Sequence, residues 1–413
     1  MALEIISGFL PPDVGQIEVV ERKGLGHPDT LTDGIAETSE IAYAQYCQEN
    51  FGVIPHHNLD KAMLLGGLCV QKFGGSEFEA PLHMIFMGRA SRSFGGAEIP
   101  LEDIQDSAAR GYLKRIMPHL VVDNPNVYQS SSMTSSRSTR PYWFSPRSID
   151  DLPEYAGDFP RANDTATMIS YWPLTTTEQL ALDLEGYFYT NNEQGMPLSR
   201  LNYIGQDIKV MAVRSGDSIT ATLCVPQVTT ETPDAKTYFE RERQLEKDLQ
   251  AYAEQLTGGG ERVEVVLNTQ TKTKNPHPYL VTGGSCTDFG EEGAVGRGNK
   301  THGIISSYRP NTMEAPQGKN PTYFVGKILG YLGDKIAKNV HEATGSPCQV
   351  VLQANMGDNL FAPSNVIVST RDQVSEEATR AVVDELFSEG RAITNKILDE
   401  AHFVPRTSPY RAS

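Results

Sequence analysis

The segment from Val281 to Lys327, VTGGSCTDFGEEGAVGRGNKTHGIISSYRPNTMEAPQGKNPTYFVGK, constrains this chain more than any other. Glycine stands at 283, 284, 290, 293, 296 and 298, a density that favours close approach of backbone to another group. Asp288, Glu291 and Glu292 are interleaved with Arg297 and Lys300, and Arg309 and Lys319 come later. Such a segment offers backbone N–H groups, acids for a metal or ammonium, and cations for phosphate. On composition alone it also reads as a surface loop. Beyond Pro321 the pattern turns helical: Val325, Ile328, Leu329, Leu332, Ile336 and Val340 recur at three- and four-residue spacing and stop near Gly345. A charged glycine loop feeding an amphipathic helix suits an anion site. The segment matches neither GxxxxGK[ST] nor GxGxxG.

With 413 residues there is room for two or three domains, and 36 Lys+Arg against 52 Asp+Glu leave a net charge of −16. An acidic surface disfavours nucleic acid and anionic membrane as partners. Any polyanionic substrate must then be held by a local basic cluster. No signal-peptide pattern or apolar run of membrane-spanning length is present, so a cytoplasmic protein is expected. Cys47, Cys69, Cys224, Cys286 and Cys348 are scattered without a CxxC pair, which reads as reduced thiols and not as a disulfide or zinc framework.

In chain order, 16–21 reads as a strand and 29–47 as a helix. Between them, ERKGLGHPD ends in Asp29, which suits a helix N-cap. Taken singly, His27 reads as a structural histidine and Asp29 as a cap, but two apart in a rigid turn they pair a proton donor with a cation ligand. Strands come next at 62–71 and 81–89, then a helix at 100–117. Residues 123–160, crowded with Ser, Pro and Arg including Arg137 and Arg140, read as a long loop. Thr175-Thr176-Thr177-Glu178 is a capping-box opening. Residues 205–225 form a hairpin in which Asp207 and Lys209 alternate onto one face. A helix at 233–256, a strand at 262–268, strands at 348–355 and 365–369, and a helix at 374–399 complete the chain. Strand–strand–helix order recurring this way indicates an α+β fold. The chain divides provisionally into a first α+β unit (1–122), the Ser/Pro/Arg-rich loop (123–160), a second unit (161–260) and a third with the glycine-rich segment (261–413).

Taken together, ERKGLGHPDTLTDGIAE, HHNLDKAMLLGG, KFGGSE, GRA, NDT, GQDIKVMAVR, GEEGAVGRGN and SSYRPNTMEAPQGKNPTYFVGKI resemble the archaeal-type methionine adenosyltransferases, or S-adenosylmethionine synthetases. The resemblance implies three similar sheet-plus-helix domains around a pseudo-threefold, partly interleaved in sequence. It also implies a homodimer with active sites between subunits. The implied reaction joins methionine sulfur to C5′ of ATP, expels triphosphate and cleaves it to phosphate and diphosphate. By resemblance His27 stabilises the leaving oxygen, Asp29 binds Mg²⁺ (with K⁺ a further candidate), and Lys209, Arg297 and Lys319 clamp phosphates. Asp207 meets the nucleoside, and Asp164 with Asp288 or Glu291 meets the ammonium and sulfonium side. Departures fall at Ser130–Met133, at ATMISYWPL after Asn163-Asp164-Thr165, and at Phe324, around the expected nucleoside and acceptor pockets. Two alternatives therefore stand beside the transferase: a paralogue with another nucleophile or nucleotide, and a catalytically silent binding homologue.

Overall fold

The computed structural model describes residues 2–152, 155, 157–191 and 197–407. It is a mixed α and β structure, with three sheets of four or five strands and helices packed against them.

The first sheet has strand order Ala2–Ser7, Asn365–Thr370, Cys348–Ala354, Ala166–Trp172. Helix α5 (Val325–Thr344) lies on it, and Ile328, Leu332 and Ile336 pack with Val350, Leu352 and Val368 in one core. The strand at Ala2–Ser7 pairs in parallel with Asn365–Thr370, joining the first described strand to one near the C-terminus. Neither it nor Ala166–Trp172 is evident from alternation, because both are short and mostly apolar runs. The C-terminal helix is two, α6 (Glu376–Ser388) and α7 (Ala392–Asp399), parted at Gly390 with φ +56°.

The second sheet runs Tyr128–Ser132, Leu82–Phe86, Ala62–Leu65, Gly293–Ala294. Its first strand falls within the segment expected to be loop (123–160). Polar QSSS conceals it, and its parallel register with Leu82–Phe86 supplies the pairing. Helices α1 (Pro28–Phe51) and α2 (Leu101–Ile116) cover this sheet, with Leu31, Ile35, Tyr112 and Leu113 in its core.

The third sheet runs Arg262–Leu267, Ser218–Cys224, Lys209–Ser215, Ile17–Lys23, Ile305–Ser306. Helices α3 (Thr176–Gly186) and α4 (Ala235–Thr257) back it. The expected capping box opens α3: Thr175 accepts from the Glu178 N–H, and Glu178 returns the bond. The glycine-rich segment thus lends one strand to the second sheet and one to the third, tying both together. No described helix is long and apolar enough to cross a membrane.

A buried charge cluster joins α1 to α5. Lys327 Nζ lies 2.6 Å from Glu37 Oε1 and 3.3 Å from Glu40 Oε2, all fully buried, and His57 Nε2 lies 3.1 Å from Glu40 Oε1. Burial, with Glu40 beside it, raises the Glu37 pKa against the lowering pull of Lys327. Removing one partner from such a group leaves buried charge uncompensated. We predict that Lys327→Ala lowers unfolding free energy by about 3–5 kcal/mol; a loss under about 1 kcal/mol in urea titration would contradict that role.

Candidate active site

The site is built where α1 begins. His27 caps the helix: the Asp29 N–H donates to His27 Nδ1 at 3.2 Å, and Pro28 occupies the first helical position. Asp29, expected as the cap, sits in the first turn instead, where its charge complements the helix N-terminus. The glycine-rich segment folds over this turn. The Ala294 N–H donates to Asp29 Oδ1 at 3.1 Å, and the Gly296 N–H to Asp33 Oδ1 at 2.7 Å. Gly293 and Gly298 permit the approach, since an added Cβ would meet Pro28 O at 2.0 Å and Asp33 Oδ2 at 2.1 Å respectively. Asn299 clasps the end of the neighbouring strand, accepting from the Lys23 N–H at 3.0 Å and donating to Lys23 O at 2.7 Å.

Cations gather on this edge. Lys23 and Lys209 are directly opposite in the antiparallel pair, an arrangement that repels unless acids lie near. Lys23 Nζ is 2.9 Å from Asp29 Oδ2, and Lys209 Nζ is 2.9 Å from Glu21 Oε1. The Arg297 guanidinium, 75% exposed, stands 3.9 Å from Asp29 Oδ1. Sequence reasoning missed Lys23; its alternation with Glu21 on one strand face was the available signal.

His27 is mostly buried, and this desolvation holds its pKa below the usual value although Asp207 and Asp29 pull it upward. Neutral imidazole that accepts at Nδ1 carries its hydrogen on Nε2, leaving one N–H donor. Asp207 is buried, and its Oδ2 accepts from the Tyr279 hydroxyl at 2.7 Å and the Cys286 N–H at 3.1 Å.

Lys319 and Asp164 lie elsewhere, lining a pocket of about 460 Å³ with Lys61, Glu314 and Gly296. Gly296 adjoins Arg297 in sequence, so this pocket borders the α1 site. Lys319 is ion-paired with Glu314, and its loop is fixed by the Gly318 N–H donating to Glu37 at 2.9 Å. Asp164 is exposed, whereas its neighbour Asn163 caps α5 by accepting from the Val325 N–H at 2.9 Å. Glu291 is exposed on the glycine-rich turn. Asp288, expected with Glu291 near an ammonium, is fully buried, and its Oδ2 accepts the N–H groups of Thr282 and Gly283, both at 2.7 Å. In this structure Asp288 shapes the turn and presents no face to solvent.

Among the described residues no group of three or more His, Cys, Asp and Glu side chains is arranged to hold a metal ion. The donor set still fits Mg²⁺, which usually takes one or two carboxylates and fills its shell with water and substrate phosphates. Asp29, beside three cations, would be the carboxylate of such a site.

An S-adenosylmethionine synthetase (AdoMet synthetase) family model matches residues 8–402. The chain belongs to the S-adenosylmethionine synthetase family. An S-adenosylmethionine synthase of Haloarcula marismortui is 34% identical over 394 residues, covering 93% of this chain and 94% of that one. That of Methanothrix thermoacetophila is 33% identical over 399 residues, covering 96% and 94%. An uncharacterized protein of Streptococcus pyogenes serotype M3 is 48% identical over 410 residues, covering 99% and 100%. The fold resembles an unusual S-adenosylmethionine synthetase from Campylobacter jejuni, with TM-score 0.55 at 16% identity over 94% of this chain and 90% of that one. The protein is therefore an enzyme of the transferase class, with archaeal-type relatives.

Burial raises the Asp288 carboxyl to about 7, so the folded chain retains a proton that the unfolded chain releases near 4. Its contribution to stability is complete below about pH 4 and disappears as pH rises through about 7. We predict that wild type loses stability relative to Asp288→Asn across that window, by up to about 1.4 kcal/mol per pH unit. Parallel stability curves in urea melts between pH 4.5 and 7.5 would contradict the assignment.

Proposed function

We propose that this chain is a methionine adenosyltransferase, converting ATP, L-methionine and water to S-adenosylmethionine, phosphate and diphosphate. The observation that carries the reading is the convergence of Lys23, Lys209 and Arg297 on one edge beside His27 and Asp29 in an otherwise acidic protein. When a neutral thioether attacks C5′, negative charge grows on the departing O5′. The catalytic need is preorganised positive charge along the triphosphate and in-line placement. Lys209 and Arg297 hold phosphate oxygens, with Lys23 reinforcing them. Lys319 serves the same polyanion from the bordering pocket. The His27 Nε2–H donates to O5′ as its charge develops. Mg²⁺, held by Asp29, would neutralise phosphate charge when bound. Asp207 orients the nucleoside, and Asp164 and Glu291 face the ammonium and sulfonium side.

The reading includes three sheet-and-helix units around a pseudo-threefold, and a homodimer whose active site draws on both chains. Support for a covered face comes from Met313 and Met356, 83% and 68% exposed, which line the Lys319 pocket and a neighbouring one. A paralogue with another acceptor is favoured by one observation: Phe324 and Asn163 line the Lys319 pocket and also a neighbouring arginine-rich one.

Mass spectrometry of products from ATP, Mg²⁺ and methionine, with other amino acids and nucleotides in parallel, separates these readings. S-adenosylmethionine with diphosphate is expected. A product from another acceptor or nucleotide, with none from methionine, would replace the reading by the paralogue.

Neutralising the phosphate clamp should damage both half-reactions. Arg297→Ala and Lys319→Ala are each expected to slow adenosyl transfer and tripolyphosphate hydrolysis by roughly 10²–10³-fold. His27→Ala should lower kcat while leaving the KM for ATP nearly unchanged, because its bond strengthens only as O5′ gains charge. Wild-type hydrolysis of added tripolyphosphate by both clamp variants would overturn the assignment.

A further inference from the structure

A cavity of about 800 Å³ lies outside the α1 cluster and is lined by Arg89, Arg137, Arg140 and Arg161. Its volume falls within the range of small-molecule sites. Among the described residues no carboxylate lines it, and none of these four arginines forms an ion pair. Elsewhere several arginines find acids: Arg92 with Glu102, Arg110 with Asp106, Arg147 with Asp151, and Arg380 with Glu376. In a chain of net charge −16, clustered cations without counter-charge concentrate a field that attracts anions.

Aromatic rings also line it, with His56, Trp143 and Tyr323 among them. His56 stacks on Tyr323 with ring centroids 5.1 Å apart and planes 7° apart, and Trp143 meets His56 edge-on at 4.1 Å. The Arg140 guanidinium lies 4.6 Å over the Trp143 ring. Burial and the neighbouring arginines drive His56 down to about 2, so it contributes a neutral ring. Guanidinium forks match phosphate and carboxylate, while aromatic walls favour a flat ring. Methionine satisfies neither demand, having one carboxylate, a compensating ammonium and no ring.

We propose that this pocket binds a small planar ring bearing at least two units of negative charge on phosphate or carboxylate groups, at a place distinct from the α1 cluster. Arg137 and Arg140 grip the anionic groups, and Trp143 with Tyr323 covers the ring. The cavity shares Arg89, Asn163 and Phe324 with the Lys319 pocket, so its occupant borders the proposed transfer site. It answers the departures at Ser130–Met133 and Phe324, which lie in or beside this region.

Trp143 reports occupancy directly. The chain has two tryptophans, so Trp172→Phe leaves Trp143 as the sole indole emitter. Full-length protein of this background is titrated with AMP and benzene-1,3-dicarboxylate as ring dianions, and with succinate and inorganic phosphate as ringless ones. Isothermal titration of wild type runs alongside in case Trp172→Phe impairs folding. Saturable Trp143 changes are expected with one or both ring probes, and which of them binds distinguishes a nucleotide from an aromatic acid. Arg137→Ala and Arg140→Ala should each weaken that binding by about tenfold or more, as loss of a charge-assisted bond does. Arg297→Ala should leave it unchanged. Absence of saturable binding, equal binding of succinate and phosphate, or loss in Arg297→Ala in place of the pocket variants would overturn the proposal. The titration needs no turnover, so it stands or falls separately from the proposed adenosyl transfer.

Discussion

Everything in the site depends on the backbone of the glycine-rich segment reaching the carboxylates of α1. Two N–H groups, from Ala294 and Gly296, direct their hydrogen bonds to Asp29 and Asp33. The contact is possible only because Gly293 and Gly298 carry no Cβ. It fixes Arg297 over the first turn of α1 and sets Lys23 between the Asp29 carboxylate and the Arg297 carbonyl. Burial raises Asp33 to about 7, so behind the first turn lies a carboxyl that readily holds a proton.

The same helix governs the second cationic pocket. Glu37, two turns farther along α1, holds Lys327 of α5 and also accepts the Gly318 N–H next to Lys319. One rigid helix thus sets the position of His27 and Asp29 at its start and of the Lys319 loop farther on. Under the proposed reaction such rigidity would serve triphosphate departure, because charges placed in advance require no reorganisation in the transition state.

The long periodic helices were legible in the sequence, α1, α2, α4 and α5 all lying within a few residues of their expected bounds. So was the hairpin that places Lys209, since alternation over seven residues on each strand is strong. The strands Tyr128–Ser132 and Ala2–Ser7 were not legible, because partners distant in sequence hold them and their own composition does not. At the site, Lys209 and Arg297 lie near the turn of His27 and Asp29, while Lys319 lines the bordering pocket. Burial did not show: Asp288 looks like a ligand in a string of glycines and acids, yet its carboxylate is occupied by the turn's own N–H groups. Lys319 has no acid at helical spacing, yet Glu314 reaches it across the loop.

The central claim is that the bond broken in ATP is the one between C5′ and its oxygen. ATP carrying ¹⁸O at the bridging 5′ position, turned over with methionine and Mg²⁺, tests it by mass spectrometry of the products. Sulfur attack at C5′ predicts that all of the label leaves with the phosphate and diphosphate. Label retained on the adenosine product would show cleavage at phosphorus and contradict the assignment of His27, Lys209 and Arg297 to the departing triphosphate.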